Sequence, residues 1–171
     1  MANNSDITAE RVRQIFSYDA SSGSLVWSDG ARAQKSFNRG LIGKPAGGGG
    51  PRAQVKIAGR MYLVHRLIWL FHYGEWPNGG LDHINCDPAD NRVSNLREAS
   101  KSQNGYNRGV QRDNKLGIKG VVYLAHCKRY HAQITVSRVK LNLGYYKTIE
   151  EAKAAYCDAV KRYHGEYGKA S

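Results

Sequence analysis

Apolar residues along the chain recur at helical spacing in some stretches and at strand spacing in others. In residues 8–18, Val12, Ile15 and Phe16 share one face and Thr8 stands where a cap belongs, which predicts a short amphipathic helix. Asp19 to Gly23 supplies turn residues, and Leu25-Val26-Trp27 reads as a short strand. Two more strands, over 52–57 and 60–64, flank Ala58-Gly59. Val64, Leu67, Ile68 and Phe71 then follow the i, i+3, i+4, i+7 stripe of a core-facing helix that Trp76-Pro77 stops. After Gly117 the period shortens to two. Segments 121–124, 130–136 and 139–145 read as strands, and in the second Tyr130, Ala132, Ile134 and Val136 alternate with His131, Gln133, Thr135 and Ser137. A helix follows, opened by the capping box Thr148-x-x-Glu151 and closed at Gly165. Its stripe of Ile149, Ala152, Tyr156, Ala159, Val160 and Tyr163 must cover the apolar sheet face, leaving the polar face in solvent.

Elsewhere the apolar pattern fails. Residues 28–51 are polar and glycine-rich, end in Gly47-Gly48-Gly49-Gly50, and read as loop. Their Arg32, Lys35, Arg39 and Lys44, with no acid after Asp29, suit either a phosphate backbone or simple solvation. Residues 80–97 are rich in Asp, Asn and His and poor in large apolar side chains, a composition for a polar site rather than a core. They read as a hairpin: a strand over 81–85, turn residues Asp87-Pro88-Ala89-Asp90, a return over 92–96, and then a helix over 98–107.

Chemistry follows from the residue types. Asp82 is a hard oxygen donor suited to Mg²⁺, and Asn104 offers a carbonyl oxygen of the same kind. On a strand, His83 points away from the side of Asp82, and an imidazole is the group most ready to take a proton from water at neutral pH. Asn95 is placed to hydrogen-bond across the hairpin and fix either the loop or the imidazole. His65 and His72 lie seven apart on one helix face, but no acid accompanies them at ligand spacing, so they read as structural. Singly, each of the four site residues has a plainer use: turn caps for Asp82 and Asn95, a surface histidine for His83, a helix stop for Asn104.

Together, Asp82-His83, Asn95 before Leu96-Arg97, and Asn104, with the upstream His65-Arg66-Leu67-Ile68-Trp69 and the string Asn91-Arg92-Val93-Ser94-Asn95, carry a resemblance. This stretch resembles the ββα-metal motif of HNH endonucleases, most closely the phage and intron-encoded homing type. The resemblance implies that Asp82 and Asn104 are metal ligands for Mg²⁺ or Mn²⁺, His83 the general base and Asn95 the orienting residue. It implies hydrolysis of DNA phosphodiester bonds, and a single such site implies nicking by a monomer, with double-strand cleavage only through a homodimer or a second binding event. Cys86, Cys127 and Cys157 are far apart and form no C-x-x-C pair, so neither a disulfide framework nor structural zinc is expected.

Charge narrows the partner. The net charge of +12 and a pI near 9.8 call for a polyanion. Residues 101–147 hold ten basic side chains against Asp113 alone. The stretch 117–165 resembles the plant ethylene-response-factor (apetala-two) DNA-binding domain in Gly117-Ile118-Lys119-Gly120-Val121, Ala132-Gln133-Ile134, Leu143-Gly144-Tyr145-Tyr146, the helix from Glu150 to Tyr156, and His164-Gly165. A Trp-Arg pair is usual where this chain has Tyr130-His131, so the resemblance carries over general contacts to double-stranded DNA: Lys119, Lys128, Arg129, His131, Gln133, Arg138 and Lys140. The polar residues 1–6 and the lack of any long apolar run point to a cytoplasmic protein without signal peptide or membrane span.

The expected fold is α+β. It comprises an N-terminal α/β extension (1–54), a ββα-metal HNH nuclease domain (55–108), a linker (109–116) and a three-stranded antiparallel sheet packed on one helix (117–171). The rival from another class is a non-catalytic, transcription-factor-like DNA-binding protein acting through the last domain. A basic structural protein of a ribosome or nucleoid has no need of the Asp-His-Asn-Asn arrangement.

Overall fold

Thr8 opens the first helix, its hydroxyl accepting the Arg11 N–H at 3.3 Å, and α1 runs Ala9–Ile15. The computed structural model describes residues 7–33, 38–48, 52–110 and 113–169. The N-terminal residues 1–6, Lys35, Gly49, Gly50 and Arg112, which enter the expectations above, lie outside the described residues. The helix stops at Ile15, short of the expected Tyr18, because the buried Phe16 turns to extended backbone and starts a strand. β1 (Phe16–Asp19) pairs antiparallel with β2 (Ser24–Trp27), and Phe16 stands opposite Trp27 with ring centroids 4.6 Å apart. A cross-strand aromatic pair outweighs one further helical turn.

β3 (Gln54–Ile57) and β4 (Arg60–Leu63) form the hairpin expected around Ala58-Gly59, and β4 leads directly into α2 (Val64–Tyr73). α2 ends at Gly74 in the left-handed region (φ 79°), whose N–H returns to the Leu70 carbonyl. Arg13 of α1 donates Nε–H to the Phe71 carbonyl at 2.8 Å, placing a cation on the last turn of α2. Val12, Ile15, Phe16, Leu25, Leu67 and Ile68 form the centre of this core. The segment 28–51 holds short 3₁₀ turns at Asp29–Ala33, Arg39–Leu41 and Ala46–Gly48, and Pro45 bridges to Val26.

The hairpin of polar residues is shorter than its sequence suggests. β5 is Gly80–His83, Ile84 and Asn85 already turn, and Val93–Asn95 forms a 3₁₀ turn before β6 (Leu96–Ala99) pairs with β5. α3 is Lys101–Asn107 rather than 98–107. Its start is set by a capping box in which Ser100 Oγ accepts the Gln103 N–H and Gln103 Oε1 accepts the Ser100 N–H at 2.8 Å.

The chain divides after Glu98 into two compact units, 1–98 and 99–171, so that α3 belongs with the second. In that unit β7 (Val121–Leu124), β8 (Arg129–Val136) and β9 (Val139–Tyr146) make an antiparallel sheet in the order β7-β8-β9, covered by α4 (Ile149–Tyr163). Thr148 and Glu151 form the expected capping box. Ala132 and Ile134 of β8 pack with Ala152, Tyr156, Ala159 and Val160 of α4. Tyr163 leaves the stripe and is 40% exposed, and its place inside is taken by His164, which is buried and donates Nε2–H to the Thr135 carbonyl at 2.9 Å.

Gly120 lies flat against the ring of Tyr156. A Cβ there would stand 2.1 Å from Tyr156 Cε2 and 2.5 Å from the Gln133 carbonyl oxygen, and φ is +73°. Gly120→Ala is therefore expected to destabilise the protein by about 2 to 4 kcal/mol through overpacking and a left-handed backbone. Urea unfolding checks it, and a loss below about 0.5 kcal/mol would show that Tyr156 yields freely.

Candidate functional site

β5 presents Asp82 and His83 next to each other, and the two find different partners. Asp82 is 5% exposed, and Arg97 on β6 donates Nε–H and Nη2–H to its Oδ2 at 3.0 and 2.9 Å. Two opposite charges withdrawn from water in this way are costly to separate, since removing one strands the other. His83 is half-buried, and its Nε2 lies 2.9 Å from Asn91 Oδ1. An amide oxygen only accepts, so Nε2 carries the proton and the imidazole lone pair is on Nδ1.

Asn91, buried at 8%, was not singled out from the sequence. Asn95 was, and of its two expected uses it serves the loop. Its Oδ1 accepts the Asn85 N–H at 3.0 Å, and its Nδ2 donates to Asn85 Oδ1 and to the Asp90 carbonyl. Asn85 Nδ2 in turn donates to Asp90 Oδ2, and Arg92 clamps the same carboxylate through Nε and Nη2 at 2.8 and 2.6 Å. The hydrogen bonds of Arg92 hold the Asp90 carboxyl down to about 2. The N-terminal hairpin supports this loop from outside: the Val93 N–H donates to Tyr18 Oη at 3.0 Å. Gly23, at φ +69°, approaches so closely that a Cβ would lie 2.4 Å from Arg92 N and 2.8 Å from Asn91 C.

His65 of α2 meets His83 edge to face, ring centroids 5.5 Å apart. Burial, with the neighbouring charges of His83 and Arg66, holds its pKa down to about 4, so at neutral pH an uncharged ring lies beside the candidate base. His72, read with His65 as structural, meets the rings of Tyr18 and Phe71 edge to face.

Asn104 sits half-buried on α3 in the second unit, its N–H donating to the Ser100 carbonyl. The described residues contain no group of three or more His, Cys, Asp or Glu that could hold a cation. A carboxylate and an amide oxygen nevertheless suit Mg²⁺ or Mn²⁺, which keep waters and take substrate phosphate oxygens around one or two protein ligands.

On the second unit the expected DNA contacts separate into two groups. Arg129, His131, Gln133 and Thr135 alternate along β8 on the face away from buried Ala132 and Ile134, and Tyr145, Asn142 and Lys140, opposite His131, Gln133 and Thr135, stand on that face too. His131 stacks on Tyr145 at 4.7 Å and bonds Asn142. Arg138 occupies the β8–β9 turn and Lys128 the β7–β8 turn, both exposed. Lys119 is placed elsewhere: its Nζ donates to the Tyr106 and Arg108 carbonyls, both at 2.6 Å, so the ammonium assigned to DNA is bound to backbone.

Residues 62–106 match the HNH endonuclease family model. The match covers about a quarter of the 171-residue chain, from Tyr62 on β4 to Tyr106 on α3, and contains His65, Asp82, His83, Asn91, Asn95, Arg97 and Asn104. No curated protein and no solved structure matches the chain. The HNH match supports a nuclease acting on DNA and, with it, the divalent metal that such nucleases usually use. Among the described residues no helix is long and apolar enough to cross a membrane.

The lowered pKa of His65 has a consequence for stability. Between pH 6.5 and 4 the unfolded chain takes up a proton on His65 that the folded chain refuses, so stability falls as pH falls through that window. His72 and His164, also lowered by burial, act in the same direction. Urea midpoints from pH 7 down to 4.5 are expected to fall less steeply in His65→Gln than in the parent. Parallel curves would show that His65 protonates as readily folded as unfolded.

Proposed function

We propose that the protein is a divalent-metal-dependent HNH endonuclease of the homing type that nicks double-stranded DNA, with His83 as general base. The observation that supports this best is the His83–Asn91 hydrogen bond inside the HNH-matched segment, which sets the tautomer with the lone pair on Nδ1. At Nδ1 the imidazole takes the proton of the attacking water, whose oxygen adds to the scissile phosphorus in line with the departing 3′ oxygen. Asn91 keeps the ring from rotating, and it accepts more strongly from the imidazolium once the proton has moved. Neutral His65 walls one side of the ring without repelling that positive charge. Asn95 acts one step back, by keeping the loop that carries Asn91 in one conformation.

Asp82 and Asn104 would hold the metal, Mg²⁺ or Mn²⁺, which when bound supplies charge stabilisation at the phosphate and leaving oxygen. Support for that pair comes from residue type and sequence spacing. The sheet face of Arg129, His131, Gln133 and Lys140, with Arg138 and Lys128 in the flanking turns, is the grip on DNA, its small twisted sheet suited to the major groove. The domain scheme that goes with this function places the nuclease in residues 55–108 and the ethylene-response-factor-like DNA-binding part in 117–171, working as monomer or homodimer in a phage-infected or bacterial cytoplasm.

Supercoiled plasmid and source-genome DNA, incubated with Mg²⁺, with chelator and with the variants, test the proposal. Metal-dependent nicking is expected, with His83→Ala slower by about 10² to 10⁴-fold at unchanged DNA retention. Asn91→Ala is expected to lose more activity than binding, by about tenfold or more, because the imidazole loses the bond that fixes its orientation and tautomer. DNA that is retained but left intact under every metal would make the protein a binding protein instead. Arg138→Ala and Lys140→Ala are each expected to lower the slope of log affinity against log salt by about one.

A further inference from the structure

In the second unit, the helix that carries Asn104 is fastened to the sheet module by a set of contacts around Tyr106. The Tyr106 ring stacks on His164 at 3.7 Å between centroids and 7° between planes. Its hydroxyl accepts the Ser137 N–H at 3.1 Å, from the same β8–β9 turn that holds Arg138. Its carbonyl, at the C-terminal end of α3, accepts from Lys119 Nζ, which also takes the Arg108 carbonyl. His164 is itself fixed by its bond to the Thr135 carbonyl on β8.

α3 has only seven residues, too few to be stable in water by its own hydrogen bonds. Its last carbonyls need donors, and a cation at that end favours the helix dipole. Lys119 meets both needs, which explains why the lysine in the Gly117–Val121 stretch points inward although the surface around it is basic.

We propose that Lys119, Tyr106 and His164 are positioning residues of the nuclease: the sheet module sets the orientation of α3, and so of Asn104, in addition to gripping DNA. This rests on the nuclease reading, in which Asn104 is a metal ligand. A rigid α3 would present the Asn104 oxygen in one geometry, whereas a frayed one would leave it averaged over many.

The test uses full-length protein and Mn²⁺ as the probe, with free Mn²⁺ followed by electron paramagnetic resonance, DNA retention followed without metal at several salt concentrations, and single-turnover cleavage. Lys119→Met is expected to weaken Mn²⁺ binding and to slow cleavage at low metal by about tenfold or more, in the range that outer-shell partners of metal ligands cost. Excess metal should restore much of the rate, and the salt dependence of DNA retention should not change. Lys119→Arg, which keeps a cation for the same carbonyls, should recover most of the loss. Tyr106→Leu, which removes the stack, should behave as Lys119→Met does and decides the matter if that variant fails to fold.

A salt slope lowered by about one, with Mn²⁺ binding intact, would put Lys119 on DNA and overturn the proposal. Variants that bind Mn²⁺ and cut like the parent would overturn it as well, with the nuclease reading left standing. A parent protein that neither binds Mn²⁺ nor cuts would bring down that reading, and this inference with it.

Discussion

The hydrogen bond from His83 to Asn91 depends on an irregular loop being held in one shape. Asn91 is on neither strand nor helix, and a side chain on a free loop orients nothing. The loop is made rigid by polar contacts rather than by apolar packing. Asn95 ties its two ends through Asn85 and Asp90, Arg92 ties Asp90, and Cys86 accepts a left-handed backbone (φ 65°) so that the chain can turn. Outside stands the N-terminal hairpin, with Tyr18 taking the Val93 N–H and Gly23 pressed against Asn91 and Arg92. The network runs from the buried Asn91 and Asn95 out to Asn85 and Arg92 at the surface, and linked polar groups of this kind specify one arrangement when they satisfy one another. The N-terminal extension is thus part of the support of the candidate base.

Charge on the two sides of β5 is kept apart by the alternation of the strand. Asp82 turns to Arg97, in a pair that is nearly dry, while His83 faces Asn91 and the neutral His65. A carboxylate bonded directly to His83 would favour the imidazolium, which has no lone pair to take a further proton, and the strand geometry directs Asp82 elsewhere. Arg97 donates twice to one oxygen of Asp82, so the buried side chain keeps a partner whatever else approaches.

Much of this was legible in the sequence, for identifiable reasons. The hairpin around Ala58-Gly59, α2, the three C-terminal strands and α4 with its capping box all follow from local periodicity and turn chemistry, and they stand within a residue or two of where those signals put them. Errors came where a tertiary contact overrode a local one. Phe16 fits the helical stripe equally well, but its packing on Trp27 draws it into β1. Asn91 and Asn95 are alike in type and lie in the same polar string, and spacing alone does not say which of them meets His83. Only the loop's fold distinguishes them. His65 read as structural; it is half-buried on α2, and the ring it meets is that of the candidate base.

Lys119 shows why net charge is a coarse guide to a nucleic-acid surface. A basic count treats every ammonium as available to phosphate, but an ammonium bonded to two carbonyls would have to give both up first, and these carbonyls close a helix. Counterion release registers only the cations that reach phosphate, so a basic count is an upper bound on such a footprint. What remains is directional: Arg129 and Lys140 lie on one sheet face with His131 and Gln133, while Arg138 and Lys128 stand in the turns at its ends. Clustered on one sheet and in its turns, these cations make a single charged face rather than a scattered surplus, and a polyanion held by such a face has its orientation set by the contacts.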